Sequence, residues 1–318
     1  MAEVSVIIPN YNGADFIRDC IASLKEQTFR DFEIIVVDND SKDGSADLVE
    51  REYPEVRLKR LDQNYGFSRA VNEGLRMSSA PFTLLLNSDT KADADFVEAL
   101  HKTILSDDRV FSVASKMIQM KNPDRLDGAG DLYSAFGWAY ARGKGRKSEG
   151  YRKYAKVFSA CGGAAIYRRS ILDEIGWFDE YHFAYLEDTD IGYRARIMGY
   201  KNVYCPDAVV YHVGSGVTGS RYNDFKIRIS ARNNMYLIMK NMPALQILIN
   251  LPFLFLGFAI KACFFILIGH GRAYLSGLKR GYIMCRDARK FPYSSKNLGN
   301  YFRIQLELWL NLFRRLPG

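Results

Sequence analysis

Cysteine is scarce in this sequence, and its five copies lie far apart in the chain. No two of them form a C-x-x-C pair, and their number is odd. We therefore expect neither a disulfide scaffold nor a structural zinc site. The first residues lack a basic stretch followed by an apolar one, so no cleavable signal peptide is predicted. Both absences favour a reducing, cytoplasmic setting.

Acidic residues are almost missing from the last part of the chain. Positions 226–318 contain 15 Lys and Arg but only Asp287 and Glu307 as acids, a net charge of +13. Positions 1–225 carry 29 basic and 34 acidic residues, a net charge of −5. We therefore predict two parts, a slightly acidic domain over 1–225 and a basic region over 226–318.

Internal repeats and low-complexity segments are missing too, and 48% of the 318 residues are hydrophobic, which is enough for a large core. The first hundred residues alternate β-branched runs with helical patterns. Strands are predicted over 4–8, 32–37, 56–61 and 82–86, and helices over 15–27, 45–52 and 66–77. This alternation predicts an α/β fold whose central sheet is mostly parallel, with helices on both faces.

Polar clusters follow three of the four predicted strands. They are Pro-Asn-Tyr-Asn-Gly at 9–13, Asp-Asn-Asp-Ser at 38–41 and Asn-Ser-Asp at 87–89. Each cluster alone fits an ordinary turn, since Asn, Asp, Ser and Gly favour turns. Three clusters at successive strand ends would face one crevice, which is where open α/β sheets bind ligands. We therefore predict a binding site at this edge of the sheet.

Several segments, in their order and spacing, resemble the family 2 glycosyltransferases. They are VIIPNYNG at 6–13, VVDNDSKDGS at 36–45, NYGFSRAVNEG at 64–74, LLNSDT at 85–90, GWFDE at 176–180, LEDTDIGYR at 186–194 and VVYH at 209–212. The sequence is most similar to the bacterial rhamnosyltransferase-like branch. The resemblance implies a GT-A fold, a Rossmann-like domain that binds nucleotide sugars. The basic region after it is expected to be helical and membrane-associating.

The resemblance assigns a divalent cation, Mg²⁺ or Mn²⁺, to Asp89 and His212. Asn87 and Asp89 alternate along the end of one strand, so both side chains can reach the crevice. Asn87 stands where many relatives carry Asp, which leaves the site with one carboxylate fewer. The imidazole of His212 tilts the preference slightly toward Mn²⁺. A structural histidine at the end of a strand is the alternative interpretation of His212.

The same resemblance implies a carboxylate base that accepts the proton of the acceptor hydroxyl. Asp188 takes this role, with Glu187 in support, at the start of a predicted helix. Acidic residues in a first helical turn also simply offset the helix dipole, which is the alternative. The residues expected on the acceptor side are Gly162, Gly163, Trp177 and His182.

The donor is expected on the first two loops and the helix that follows. The side-chain oxygen of Asn39 can accept the N3–H of a pyrimidine base. Arg69 can meet a phosphate, although a solvated helical arginine is an equal alternative. The residues implied as donor-binding are Pro9, Tyr11, Asp38, Asn39, Arg69, Asn72, Asn87 and Ser88.

The resemblance implies an inverting, metal-dependent glycosyltransferase that moves a sugar to a lipid-linked saccharide in bacterial surface polysaccharide assembly. Rhamnose from dTDP-rhamnose is the first choice of donor, and a UDP-sugar is the alternative. A nucleotidyltransferase usually has a Gly-rich, basic loop after its first strand, whereas this chain has no Lys or Arg before Arg18. An inactive membrane adaptor would not need Asp89, Asp188 and His212 together.

A long apolar run lies inside the basic region. Positions 244–260 carry no charge, Lys261 interrupts, and 262–269 are apolar again. The run is long enough to span a membrane, but Pro252, Gly257 and Lys261 favour a bent or interfacial insertion. Because basic residues flank it on both sides, an interfacial helix keeps them all on the cytoplasmic face of the inner membrane. The alternative to membrane insertion is that this run forms a buried core helix or a homodimer interface. Nucleic-acid binding is not expected, because the run is too apolar for a solvated phosphate-binding arm.

Overall fold

The computed structural model of this chain describes residues 2–214, 222–286 and 290–314. The strands in these ranges are β1 (Val4–Asn10), β2 (Phe32–Asp38), β3 (Arg57–Arg60), β4 (Phe82–Leu86), β5 (Thr90–Ala92), β6 (Val110–Gln119), β7 (Asn122–Gly128), β8 (Asp131–Ser134), β9 (Trp138–Ala141), β10 (Ala155–Val157), β11 (Ala164–Arg168) and β12 (Lys201–His212). The α-helices are α1 (Ile17–Lys25), α2 (Ser45–Glu52), α3 (Phe67–Met77), α4 (Phe96–Leu105), α5 (Arg169–Ile175), α6 (Glu187–Ile197), α7 (Asp224–Asn241), α8 (Ala244–Leu267), α9 (Gly271–Met284) and α10 (Leu298–Arg314).

Ten of these strands form one mixed sheet. Its main path is β10-β12-β6-β11-β4-β1-β2-β3, with β5 beside β12 and β7 beside β6. The four strands predicted from the sequence are parallel neighbours in the order β4-β1-β2-β3. β11 runs antiparallel between β4 and β6, and β8 and β9 form a separate hairpin. The predicted α/β fold with a mostly parallel sheet is confirmed.

The alternation of side chains along β1 shows how both faces of the sheet are covered. Val6 and Ile8 belong to the apolar cluster that includes side chains of α1 and α4, and Ile7 belongs to the cluster that includes side chains of α3 and α6. All three are completely buried, as a parallel strand between two helical layers requires. α3 packs so closely that a Cβ added at Gly74 would lie 2.4 Å from Ile7 Cγ2.

The boundaries of most predicted elements agree with the structure to within a few residues. The apolar run 207–211 before His212 predicts one more strand, and β12 is longer than this run. Its pairing with β6 begins at Lys201 and continues on both sides of an irregularity between Tyr204 and Val209. That interruption contains Pro206, which cannot donate a hydrogen bond to a neighbouring strand. The apolar run in the sequence therefore predicts only the second half of β12.

The four C-terminal helices pack against one another and against the sheet domain. α9 approaches α7 so closely that a Cβ on Gly277 would lie 2.5 Å from the carbonyl oxygen of Arg228. α10 reaches the sheet domain, where the carbonyl oxygen of Leu308 accepts a hydrogen bond from the Ala135 N–H at 3.0 Å. One apolar cluster contains side chains of α6, α7, α8 and α10 together. α7 begins at Asp224, and a domain boundary near residue 225 stays a prediction.

α8 buries two polar residues against the protein and exposes most of its large apolar residues. Its buried residues are Gln246, Asn250, Leu254 and Gly257. Gln246 accepts a hydrogen bond from Tyr193 at 2.8 Å, and Asn250 donates one to Gln305 at 2.7 Å. The large apolar residues exposed on this helix are Leu245, Leu248, Ile249, Leu251, Phe255, Leu256, Ile260, Phe264, Ile266 and Leu267.

The length and composition of α8 would allow it to cross a membrane. Only 17% of its apolar 18-residue window is buried inside the protein. A buried core helix, one of the alternatives for this run, is therefore wrong. The helix is continuous through Pro252.

Candidate active site

A cavity of about 1140 Å³ opens beyond the carboxyl ends of β1, β2, β4 and β12, where the start of α6 and residues of α7 and α8 also line it. The strand-end clusters thus meet at one crevice, as predicted. Ten of the residues singled out by the resemblance line this cavity. They are Pro9, Tyr11, Asn39, Asn87, Ser88, Asp89, Gly163, Glu187, Asp188 and His212.

Asp89 and His212 meet because β12 pairs with β5, the short strand directly after Asp89. His212 is opposite Thr90 in that pairing, and its Nε2 is 3.2 Å from Asp89 Oδ1. Its Nδ1 is 2.7 Å from Asp127 Oδ2. Burial disfavours a charged imidazole, but the hydrogen bonds with Asp127 and Asp89 outweigh it and raise the pKa of His212 to about 9. We call Asp89, Asp127 and His212 the cavity cluster.

Asp127 was not predicted from the sequence. It lies on β7, and its only local signal is an Asp-Gly pair, which is typical of turns. Lys144 Nζ is 2.9 Å from Asp127 Oδ1. Although burial opposes ionisation, the bonds with His212 and Lys144 hold the pKa of Asp127 well below its ordinary value. Asp127 is therefore a charged partner that orients the imidazole of His212.

The cavity cluster fits a divalent cation by the chemistry of its atoms. Carboxylate oxygens suit Mg²⁺ and Mn²⁺, and an imidazole nitrogen suits Mn²⁺ better. A histidine that binds a metal through one ring nitrogen usually donates its other N–H to a carboxylate. Asp127 is placed to accept that bond from His212. Asp89 and His212 are therefore the residues that could hold the ion.

Asp188 is oriented by the backbone at the start of α6. Its Oδ1 accepts the Thr189 N–H at 2.6 Å, and its Oδ2 accepts the Gly162 N–H at 3.3 Å. Burial raises the pKa of Asp188 in spite of these bonds. A carboxylate with raised proton affinity is better suited to act as a base than a free one.

Glu187 and Asp131 stand beside Asp188. Burial first, and then the charge of Asp188, raise the pKa of both carboxyls well above the ordinary value. Glu187 Oε2 is buried with no hydrogen-bond partner among the described residues. Ligand atoms of Asp131, Asp188 and Cys161 lie within 4.8 Å of one another. Burial raises the pKa of the Cys161 thiol, however, and a protonated thiol is a poor metal ligand.

Asn39 and Asp38 shape the second loop in different ways. Asn39 lines the cavity, accepts the Tyr65 N–H at 2.9 Å and donates to the Gly66 carbonyl at 3.0 Å. Asp38 is buried, and its Oδ1 accepts a hydrogen bond from Asn10 at 2.8 Å. Asp38 does not line the cavity and is bonded to the first loop through Asn10, and its contact with the donor stays a prediction.

Arg69 and Asn72 do not line the cavity either. Arg69 forms ion pairs with Glu73 at 2.8 Å and Glu180 at 2.9 Å. Asn72 Nδ2 donates to the carbonyl of Phe178 at 2.8 Å and to Glu180 at 2.9 Å. Both side chains hold the segment around Glu180 against α3. Their polar groups are directed to this segment, and their contact with the donor stays a prediction.

Trp177 and His182 were predicted on the acceptor side but lie outside the cavity. Trp177 Nε1 donates to Asp173 at 2.7 Å, and His182 is completely buried. Neither residue lines the cavity, and their roles on the acceptor side stay predictions. Gly162 is not a lining residue, but its N–H holds Asp188. Gly163 does line the cavity.

His182 belongs to a second group, Asp179, His182 and Asp190, which we call the buried cluster. Lys240 Nζ is 2.6 Å from Asp179 and 2.9 Å from Asp190. Arg194 also pairs with Asp190, at 3.0 Å. Burial opposes ionisation of Asp190, but Lys240 and then Arg194 hold its pKa well below the ordinary value. The protein itself thus supplies the cations of this cluster.

Comparison with known proteins agrees with this geometry. The chain matches glycosyl transferase family 2 over residues 5–176. An N-acetylglucosaminyl-diphospho-decaprenol L-rhamnosyltransferase of Mycobacterium tuberculosis is 25% identical over 239 residues, which covers 67% of this chain and 77% of that protein. The O-antigen chain rhamnosyltransferase RfbN of Salmonella typhimurium is 25% identical over 214 residues, 66% of either chain.

A solved structure is similar over most of the fold. The mannosyltransferase PcManGT from Pyrobaculum calidifontis, in complex with GDP-Man and Mn²⁺, has a TM-score of 0.55 at 19% identity and covers 90% of this chain and 86% of that chain. This likeness supports the GT-A fold. The chain belongs to glycosyl transferase family 2, and it is a nucleotide-sugar-dependent glycosyltransferase.

Proposed function

We propose that this protein is an inverting, metal-dependent glycosyltransferase that moves rhamnose from dTDP-rhamnose to a lipid-linked saccharide at a membrane surface. One observation carries the proposal: the same cavity is lined by Asp89 and His212, which fit a cation, and by the buried carboxyl of Asp188. A bound Mg²⁺ or Mn²⁺ would stabilise the negative charge that develops on the departing diphosphate.

The residues of the chain can divide the remaining work of the transfer. Pro9, Tyr11 and Asn39 line the part of the cavity formed by the first two loops, where the nucleoside would bind. Asp188 would take the proton of the acceptor hydroxyl as that oxygen attacks C1 of the sugar from the face opposite the diphosphate. Glu187, with its unpartnered buried oxygen, would contact the acceptor beside it.

The choice of rhamnose is supported by the names of two relatives, both of which are rhamnosyltransferases. One of them is named for an acceptor in which the sugar is attached to decaprenol through a diphosphate. A UDP-sugar remains the alternative donor, and its pyrimidine base would use the same nucleoside contacts.

The exposed side of α8 supports a membrane-bound acceptor. Exposed apolar surface of this extent on one helix is unfavourable in water and favourable against lipid. The basic residues of 226–318 would add attraction to anionic headgroups, each worth on the order of 1 kcal/mol. We place the protein on the cytoplasmic face of the inner membrane, as a peripheral or monotopic protein.

A panel of nucleotide sugars tests the donor. We expect release of the nucleotide from dTDP-rhamnose in the presence of Mn²⁺, and a rise in melting temperature with the same compound. Asp188→Asn should keep that melting shift and lower turnover by about 10²–10⁴-fold. Use of UDP-sugars alone would overturn the rhamnose assignment, and unchanged turnover in Asp188→Asn would remove Asp188 from the mechanism.

Flotation with anionic liposomes tests the membrane surface in the full chain. Replacing Leu248, Leu251 and Phe255 together by Ser should reduce flotation strongly, because all three are exposed on α8. Leu105→Ser, at an exposed position of α4, is the matched control and should float like the parent. If the triple variant floats normally but changes from dimer to monomer in sedimentation, the face is a homodimer interface instead.

A further inference from the structure

Lys261 is the one charged residue in the sequence of α8, and its side chain lines the cavity. Its ammonium group is 5.5 Å from the centre of the Trp138 ring. One turn earlier, Trp138 Nε1 donates to the carbonyl oxygen of Gly257 at 3.1 Å. A Cβ at Gly257 would lie 2.3 Å from the carbonyl oxygen of Phe136. The docking of α8 on the β8–β9 hairpin therefore fixes Lys261 over the cavity.

A second lysine reaches the cavity from another helix. Lys226 lies in the first turn of α7 and lines the cavity. Burial, and then the charge of Lys144, lower the pKa of Lys226. Lys144 is itself paired with Asp127 of the cavity cluster. The α7 and α8 side of the cavity is thus basic, whereas the strand ends and the start of α6 supply its carboxylates.

α8 also determines how this basic side is placed against a membrane. Leu256 and Ile260 are exposed on the outer face of the helix, while Lys261 turns inward. When the outer face lies in the apolar layer, the ammonium of Lys261 is held next to the lipid surface without entering it. Phosphate groups of lipids lie at that depth, and an ammonium binds phosphate by charge-assisted hydrogen bonds.

We propose that Lys226 and Lys261 form a subsite for the phosphate groups of a lipid-linked acceptor. This inference rests on the proposed function, whose acceptor it specifies as a lipid phosphate or diphosphate. The donor is the other source of a diphosphate in the cavity. The donor diphosphate would bind the cation that Asp89 and His212 could hold, which leaves the two lysines to the acceptor.

Vesicle binding by the full-length protein tests the subsite. Neutral phosphatidylcholine vesicles containing a small fraction of a polyprenyl diphosphate are compared with vesicles containing the matching polyprenol. We expect the parent to prefer the diphosphate vesicles by on the order of tenfold or more. The double variant Lys226→Gln/Lys261→Gln should lose this preference. Lys261→Arg should keep it, and so should the control Lys102→Gln, which is exposed on α4.

Calorimetric titration of the same proteins with dTDP and Mn²⁺ distinguishes the two sources of diphosphate. The double variant should bind the nucleotide within about twofold of the parent. A loss of nucleotide affinity as large as the loss of vesicle preference would assign the lysines to the donor and overturn the proposal. A parent without preference, or a double variant that keeps it, would also overturn it.

The outcome is separable from that of the proposed function. A protein that transfers sugar but does not distinguish the vesicles would contradict only the subsite. A protein that prefers the diphosphate vesicles but uses no nucleotide sugar would contradict only the proposed function.

Discussion

The cavity cluster and the buried cluster contain the same side chains, two aspartates and one histidine, in opposite surroundings. The cavity cluster is open to a ligand, and Lys144 pairs with its Asp127. The buried cluster is closed off, and its carboxylates bind Lys240 and Arg194. Asn241 adds a hydrogen bond to Asp190 at 2.7 Å.

The difference shows that residue type and proximity do not by themselves mark a metal site. The ligand atoms of the buried cluster lie within 4.8 Å of one another, so spacing alone would favour it. Its negative charge is already neutralised, because an unpaired buried carboxylate would cost several kcal/mol. In the cavity cluster the imidazole of His212 lies between Asp89 and Asp127, and a divalent cation can take the place of a proton on its Nε2.

The largest expected effect is on the stability of the buried cluster. Asp190→Ala leaves the charges of Lys240 and Arg194 without their buried partner and should lower the free energy of unfolding by about 3–5 kcal/mol. Denaturant unfolding of the parent and the variant measures this difference. Asp107→Ala, which breaks a more exposed ion pair with Lys201, is the matched control and should cost much less. Equal losses in the two variants would contradict the structural role.

The stability of the buried cluster should also depend on pH. Because the pKa of Asp190 is held well below its ordinary value, its contribution to stability is present at neutral pH and is lost as the pH falls below the carboxyl range. The difference in unfolding free energy between the parent and Asp190→Ala should therefore shrink from about pH 7 to about pH 2. A difference that is constant with pH would show that the charge of Asp190 is not what stabilises the fold.

Substitutions in the cavity cluster should change metal binding rather than the stability of the fold. Asp89→Ala removes a carboxylate ligand and should weaken Mn²⁺-dependent nucleotide binding by more than about 100-fold, the upper end of the loss from an outer partner. The melting temperature of the metal-free protein should change little. Asp62→Ala, at an exposed loop position, should bind like the parent. If Mn²⁺ still strengthens nucleotide binding in Asp89→Ala as before, the metal lies elsewhere.

Asp127→Asn tests the outer partner of the same cluster. The amide keeps the shape of the side chain but removes the charge that orients His212, so Mn²⁺ affinity should fall by about 10–100-fold. Titration with Mn²⁺ in the presence of nucleotide measures the change. An affinity within twofold of the parent would mean that Asp127 does not support the metal ligand.

The smallest effect is expected at His182, the histidine of the buried cluster. Neither of its ring nitrogens has a hydrogen-bond partner among the described residues, and its Nε2 is 3.9 Å from Asp190 Oδ1, too far for a hydrogen bond. His182→Phe should keep Mn²⁺ affinity unchanged and alter stability by less than about 1.5 kcal/mol. The matched change His212→Phe should abolish the Mn²⁺ dependence of nucleotide binding. Similar effects of the two substitutions on Mn²⁺ affinity would contradict the difference between the clusters.

Local features of the sequence predicted much of the fold and part of the site. The first four strands and the polar residues at their ends are local patterns, and they predicted the positions of Asn39 and Asp89, whereas the role of Asp188 was implied by the family resemblance. Asp127 comes from an antiparallel hairpin and joins His212 only through the packing of distant strands, for which no local signal exists.

The same reasoning could not show which way a side chain points. His182 lies near the acidic motif in sequence, but the segment after Asp179 turns its ring under Tyr236, with the ring centres 5.3 Å apart. Arg69 is drawn to Glu180, which is 111 positions away in the chain. The inward position of Lys261 likewise depends on the docking of α8 against Trp138.

Anomalous X-ray diffraction from crystals grown with Mn²⁺ and dTDP tests the central contrast most directly. The account predicts one strong manganese peak bound to Asp89 and His212, in contact with the diphosphate, and no peak within the buried cluster. A peak among Asp179, His182 and Asp190, or between Asp131 and Asp188, would contradict it.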